Sequence, residues 1–163
     1  LRQNLYAHLQ ASLLLKNDND TTTTTNNNTH KPSPQDYQNA LTLALQKVDA
    51  EVQQVSHWSY QGSTAVAAWW HRPSNSLVLA NIGDSRAVLH RNRTALQLTQ
   101  DHKPEHPTER ARIEALGGQV VWCGPTDSNG DPIINQDPAM GGVYRVNGFL
   151  SLARAIGDRS ERP

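Results

Sequence analysis

Asp84 stands in LVLANIGDSRAVL, residues 77–89, where two apolar runs of strand length flank Gly83, Asp84, Ser85 and Arg86. A carboxylate, a hydroxyl and a guanidinium where two buried strands meet can serve in one of two ways. They can form a tight hairpin turn, with Gly supplying positive φ and Asp bonding its own backbone. Or the turn can aim Asp84 at a cation or a phosphate. A lone carboxylate does not hold Mg2+ or Mn2+, so the second use needs ligands from elsewhere. Asp158 closes a second Ile-Gly-Asp tripeptide, whose flanks differ from the first, so the two are not a repeat. A turn is again the plain explanation, and Arg154 serves an ion pair as readily as a substrate phosphate.

Other candidates fail on spacing. His102 and His106 have the separation of helical metal ligands, but Pro104 lies between them and Pro107 follows, so two loop histidines are expected rather than zinc ligands. Asp127, Asn129 and Asp131 begin like a calcium loop, but Pro132 and Pro138 stand where Gly and Glu are needed. The chain has no nucleophile-elbow, phosphate-loop or dinucleotide-binding motif. Cys123 has no evident base partner and reads as structural.

These residues must be positioned by elements whose pattern is visible. Leu1, Leu5, Leu9 and Leu13 make an apolar helical stripe. Residues 17–32 are polar and low in complexity, and are expected to be a disordered insertion. Ser33 can cap a second helix, with Pro34 at its first position, Asp36 in its first turn, and Tyr37, Leu41, Leu45, Val48, Val52 and Val55 on one face. STAVAAWW, LVLANI, RAVLH, TALQL and QVVW read as strands, and the short links favour antiparallel neighbours. On a strand Trp69 and Trp70 face opposite sides, at least one of them inward. PTERARIEALGG reads as a helix with Ile113 and Leu116 inward and Gly117 closing it. VYRV and FLSL flank Asn147-Gly148, the pair favoured by a type I′ hairpin turn. Residues 123–142, rich in Gly, Pro, Asp and Asn, are expected to form a surface excursion. The fold class is α+β.

Bulk composition narrows the partners. The 163 residues are enough for a domain with a real core, and 15 basic residues balance 15 acidic ones, which argues against a nucleic-acid binder. Cys123 is the only cysteine, excluding an intrachain disulfide and suiting a reducing intracellular compartment, cytoplasm or nucleus. No apolar run approaches the roughly 18 residues of a membrane span, and no signal-peptide pattern is visible. Sequons at Asn19, Asn27 and Asn92 are expected by chance in so Asn/Thr-rich a chain. Composition leaves the oligomeric state open.

Four stretches in order carry a resemblance: GSTA at 62, LVLANIGDSRAVL at 77, LTQDHKPEHPTERARIEALGG at 98 and RVNGFLSLARAIGD at 145. Together they resemble the metal-dependent protein phosphatases of the PP2C type. The resemblance implies part of an αββα sandwich, two antiparallel sheets flanked by helices. It also implies hydrolysis of phosphoserine and phosphothreonine in phosphoprotein substrates, in which two Mg2+ or Mn2+ ions bridge and activate a water. Asp84 then matches the aspartate associated with a third metal, with Gly83, Ser85, Arg86, Arg154, Gly157 and Asp158 supporting the motifs. Ala153 stands where the family often has Ser, and residues 123–142 fall where the family carries a variable flap.

The family's first metal motif, Asp-Gly-His-Gly, is absent, and no Asp-Gly dipeptide occurs anywhere. The chain opens on Leu1 inside a helical pattern and stops at DRSERP. Residues 1–163 are therefore expected to be an internal piece of a phosphatase domain, inactive alone and short of most metal ligands. A pseudophosphatase serving as a binding or regulatory module is the alternative, and an unrelated β-rich interaction domain is a third.

Overall fold

A computed structural model describes residues 2–19, 32–134 and 141–162. Helix α1 spans Arg2–Asn19 and α2 spans Pro34–Gln53. The expected disordered insertion thus yields its first three residues to α1, and 20–31 lie outside the described residues. Ser33 begins α2 with a reciprocal cap: its hydroxyl accepts from the Asp36 N–H, and its own N–H donates to Asp36 Oδ2 at 2.7 Å.

Strands β1 (Gly62–Ser63), β2 (Ala65–His71) and β3 (Ser76–Ile82) follow, then β4 (Val88–Arg91) and β5 (Thr94–Gln97). Helix α3 spans Pro107–Ala115, and β6 (Val120–Cys123), β7 (Val143–Val146) and β8 (Ile156–Gly157) complete the set. Each strand has one antiparallel partner: β1 with β8, β2 with β3, β4 with β5, β6 with β7.

The helical stripes cover one face of the β2–β3 pair. Leu9, Tyr37, Ala40, Leu41, Ala44 and Val78 form one buried cluster, and Leu45, Val48 and Ile156 a second. Leu41 is 3% exposed, and burial of such a side chain contributes about 2 kcal/mol. Strand alternation sends Trp69 inward, stacked on Tyr37 with ring centroids 5.4 Å apart, and Trp70 outward, 59% exposed.

Three local expectations are corrected. Residues 83–87 do not close a hairpin, because β3 pairs with β2 and β4 with β5, so the segment carries the chain from one sheet to another. Leu116 is 59% exposed, since α3 ends at Ala115, and of the two apolar residues expected inward only Ile113 is buried. Asn147 and Gly148 adopt the positive φ of a tight turn, but FLSL is not a strand. One Val146–Leu150 bridge forms, and the chain then leaves so that the Ala153 N–H can donate to His102 O.

Candidate functional site

Gly83 lies just past β3 at φ +88, and a Cβ there would come within 2.4 Å of the Thr64 methyl. Only glycine fits, which brings the chain against residue 64. The Gly83 N–H donates to His102 Nδ1 at 3.1 Å, and the Gly83 carbonyl accepts from the His102 N–H at 3.0 Å. Accepting at Nδ1 leaves the neutral ring's proton on Nε2. Burial, aided by the charge of Arg154, lowers the His102 pKa from its usual 6.5. The amide of Asn81 adds bonds to the Gly83 and Gln100 carbonyls.

From this anchored backbone the next three side chains fan out. Asp84 Oδ2 meets Lys103 Nζ at 2.5 Å. The hydroxyls of Ser85 and Thr64 share a hydrogen bond of 2.7 Å. Arg86 grips both oxygens of Asp101, at 3.0 and 2.7 Å, and that hydrogen bonding holds the Asp101 carboxyl below the usual range. The Leu98 N–H donates to Ala87 O, and the Ala87 N–H donates to the Thr99 hydroxyl.

These contacts define two segments running antiparallel, 83–87 against 98–103. Each contains an acid followed two residues later by a base: Asp84-Ser85-Arg86 and Asp101-His102-Lys103. Opposed antiparallel, two such tripeptides bring each acid to the other's base. This charge order was the signal that could have revealed Lys103 from the sequence.

Arg154 serves the ion-pair use weighed from sequence. Its guanidinium grips Glu109, whose side chain is 5% exposed, and Arg112 donates to the same carboxylate at 3.0 Å. Burial opposes ionisation of Glu109, but the arginines win and its pKa is lowered. A lone Glu in a helix reads as a solvated face, and its main partner is far off in sequence, so Glu109 escaped sequence reasoning. The clamp holds residues 153–155 beside the Gly83 loop, where the Arg154 carbonyl would lie 3.1 Å from a Cβ on Gly83.

Gly157 and Asp158 sit at the β1–β8 pair. Gly157 has φ +81, and a Cβ there would lie 2.3 Å from the Gln61 carbonyl. Its N–H donates to Asp49 Oδ1 at 2.9 Å, and Arg162 grips the same Asp49. The Asp158 carboxylate lies against Gly62, and burial raises its pKa. These two residues fix β8 to α2 and β1.

His106 stands at the N-cap position of α3 without a side-chain capping bond, and its ring contacts Gln100 and Thr108 rather than the partners of His102. At the other end of the described excursion, Asp127 Oδ1 accepts from the N–H groups of Asn129 and Asp131, closing a tight loop. Residues 135–140 of that excursion lie outside the described residues.

All four motif stretches therefore contribute to one junction: Thr64 from the first, residues 83–86 from the second, His102, Lys103 and Glu109 from the third, and residues 153–154 from the fourth. The sequence as a whole matches the family model "Protein phosphatase 2C" over residues 4–163. The chain belongs to the protein phosphatase 2C family. It is 38% identical over 133 residues to Probable protein phosphatase 2C 69 of Arabidopsis thaliana, covering 80% of this chain and 32% of that one. It is 41% identical over 128 residues to Protein phosphatase 2C 56 of the same plant, covering 78% and 24%. The chain thus spans about a third or less of those relatives' length.

Among solved structures, a C. elegans sex determining protein aligns with TM-score 0.63 and 26% identity, over 99% of this chain and 33% of that one. The serine-threonine phosphatase 2C of Toxoplasma gondii shares the fold, with TM-score 0.57 and 19% identity, over 97% and 54%. Family membership removes the unrelated interaction domain from consideration.

The family resemblance implies divalent cations, which the residues present can be tested against. Among the described residues no group of three or more His, Cys, Asp or Glu side chains could hold a metal ion. Asp84 is a hard oxygen donor of suitable chemistry, but Lys103 is set against it, and Mg2+ and Mn2+ take octahedral sets of oxygen ligands. These residues do not by themselves make a site for such an ion. Among the described residues no helix is long and apolar enough to cross a membrane.

Proposed function

We propose that the protein carrying this chain is a Mg2+- or Mn2+-dependent phosphatase acting on phosphoserine and phosphothreonine in protein substrates. The observation that carries this is the convergence of the four family stretches around Asp84, with its backbone anchored on both sides of Gly83. Asp84 supplies a single carboxylate, and a metal centre here requires other ligands from outside these residues. The chain's own part is to hold the Asp84 carboxylate in place. Gly83 brings the backbone in, His102 pins it, and the Glu109–Arg154 clamp braces the other side. Residues 123–142 are proposed to influence which phosphopeptide is accepted.

The test is turnover of a phosphothreonine peptide by the full-length protein with and without Mn2+. Metal-dependent release of phosphate, reduced in Asp84→Asn, supports the proposal. A folded full-length protein that binds phosphopeptide without hydrolysing it would establish the pseudophosphatase instead. Residues 1–163 alone are expected to be inactive, and metal-dependent turnover by that segment would overturn this. Replacing 123–142 by a short linker in the full-length protein should alter peptide preference; an unchanged preference would refute the role given to that segment.

A further inference from the structure

We infer that Asn129, followed by Gly130, is a site of spontaneous deamidation, and that the fold spares the chain's other Asn-Gly pair, Asn147-Gly148. In this reaction the glycine amide nitrogen attacks Cγ of the asparagine side chain. A C–N bond forms, and the carboxamide nitrogen leaves as ammonia with the proton given up by the amide. Water then opens the cyclic imide to aspartate or isoaspartate. Glycine favours the attack because it has no side chain to shield its nitrogen. The reaction draws only on the chain and on water, so it stands apart from the activity proposed above.

Both pairs are exposed, so exposure does not separate them. The tethering of the carboxamide does. Asn147 Oδ1 accepts from the Gln119 N–H at 2.9 Å, and the Asn147 N–H donates to the Gln119 carbonyl at 2.8 Å. These bonds extend the β6–β7 ladder past the Val120–Val146 pair, where Val146 is 2% exposed. For Cγ to reach the Gly148 nitrogen, the carboxamide must abandon Gln119 and loosen the end of that ladder. The Asn129 carboxamide makes no hydrogen bond among the described residues. The bonds around it stay within residues 127–131. Asp127 Oδ1 accepts from the Asn129 and Asp131 N–H groups, and the Gly130 N–H donates to the Asp127 carbonyl at 3.1 Å. A solvent-exposed loop held by its own short-range bonds opens without disturbing a strand. Either product sets a third carboxylate beside those of Asp127 and Asp131, and repulsion among them works against the closure that Asp127 provides.

The experiment is prolonged incubation of the folded full-length protein in mildly alkaline buffer, with a parallel sample in urea. Peptide mapping by mass spectrometry follows the gain of about one dalton at each pair. A melting curve at the end confirms that the first sample stayed folded. In the folded protein Asn129 should convert about tenfold or more faster than Asn147, and in urea the two rates should agree within about twofold. Conversion at Asn147 as fast as at Asn129 in the folded protein would overturn the inference. So would a gap that persists in urea, because neighbouring residues and not the fold would then cause it. An Asn129 that reacts in urea but stays intact in the folded protein would show that the loop protects it, and would overturn the inference as well.

Discussion

Arg154 lays its guanidinium across both carboxylate oxygens of Glu109, with Nε 3.0 Å from each oxygen and a second nitrogen 2.6 Å from Oε1. The pair joins α3 to the segment leading into β8. Arg112 donates to the same carboxylate and to the Ala153 carbonyl, so one acidic group ties both sides of the junction.

Glu109→Ala should destabilise the protein by about 2–3 kcal/mol. Breaking a buried pair costs roughly 3–5 kcal/mol, but Arg154 and Arg112 are 47% and 34% exposed and can recover part of that from water. Glu109→Gln keeps an acceptor and should cost about half as much. Urea denaturation of the three proteins gives both differences.

Asp84→Asn should lower turnover of the full-length protein by about tenfold or more, the scale on which metal-site partners act. Its pairing with Lys103 is part-exposed, so the melting temperature should move by less than about 2 °C. Parallel phosphate-release and thermal-melt measurements decide it. A large fall in melting temperature with unchanged turnover would make the segment a structural connection and nothing more.

Gly83→Ala and Gly117→Ala separate backbone strain from steric conflict. Both glycines have φ near +87, at +88 and +86, but a Cβ on Gly117 would meet nothing within 4 Å. Gly117→Ala should cost about 1 kcal/mol, the positive-φ penalty alone. Gly83→Ala must also push back Thr64, and should cost more than about 2 kcal/mol while displacing Asp84. Denaturation midpoints compare the two, and the full-length Gly83 variant should lose activity besides.

Acid should weaken the fold in two stages. Burial lowers the pKa of His102, so the unfolded chain takes up that proton first as pH falls below about 6.5. Its stabilising contribution is complete above that value and is lost below it. Glu109, whose pKa is lowered by its arginines despite burial, keeps its contribution until pH falls below about 4.5. Asp158, raised by burial, works in the opposite direction and favours the fold at low pH. Melting temperatures from pH 7.5 to 5.5 should decline, and His102→Asn, with an amide oxygen in place of Nδ1, should flatten that decline.

The helices were legible in the sequence because their signals are local. Ser33, Pro34 and Asp36 mark the start of α2 within one turn, and its apolar face repeats at the helical period. Strand partnership was not, because alternation says which face is buried but not which neighbour pairs. Nothing local in GDSR distinguishes a hairpin turn from a passage between sheets. What decides is that the Gly83 and Ala87 backbones find partners at residues 98–102. The candidate site shows the same division. Asp84 was visible through its setting, whereas Lys103 and Glu109 acquire meaning only from partners that the fold delivers.

Trp69 and Trp70 are adjacent in sequence, yet one ring is stacked on Tyr37 and the other stands over the outer surface with the Arg72 guanidinium 5.3 Å from its centre. A neutral quencher such as acrylamide should therefore extinguish the fluorescence of Trp70 and spare that of Trp69. Emission from the inner indole will shift to the red only when the helical layer lifts away. Two consecutive chromophores thus give separate optical reports on the two sides of a single pair of strands.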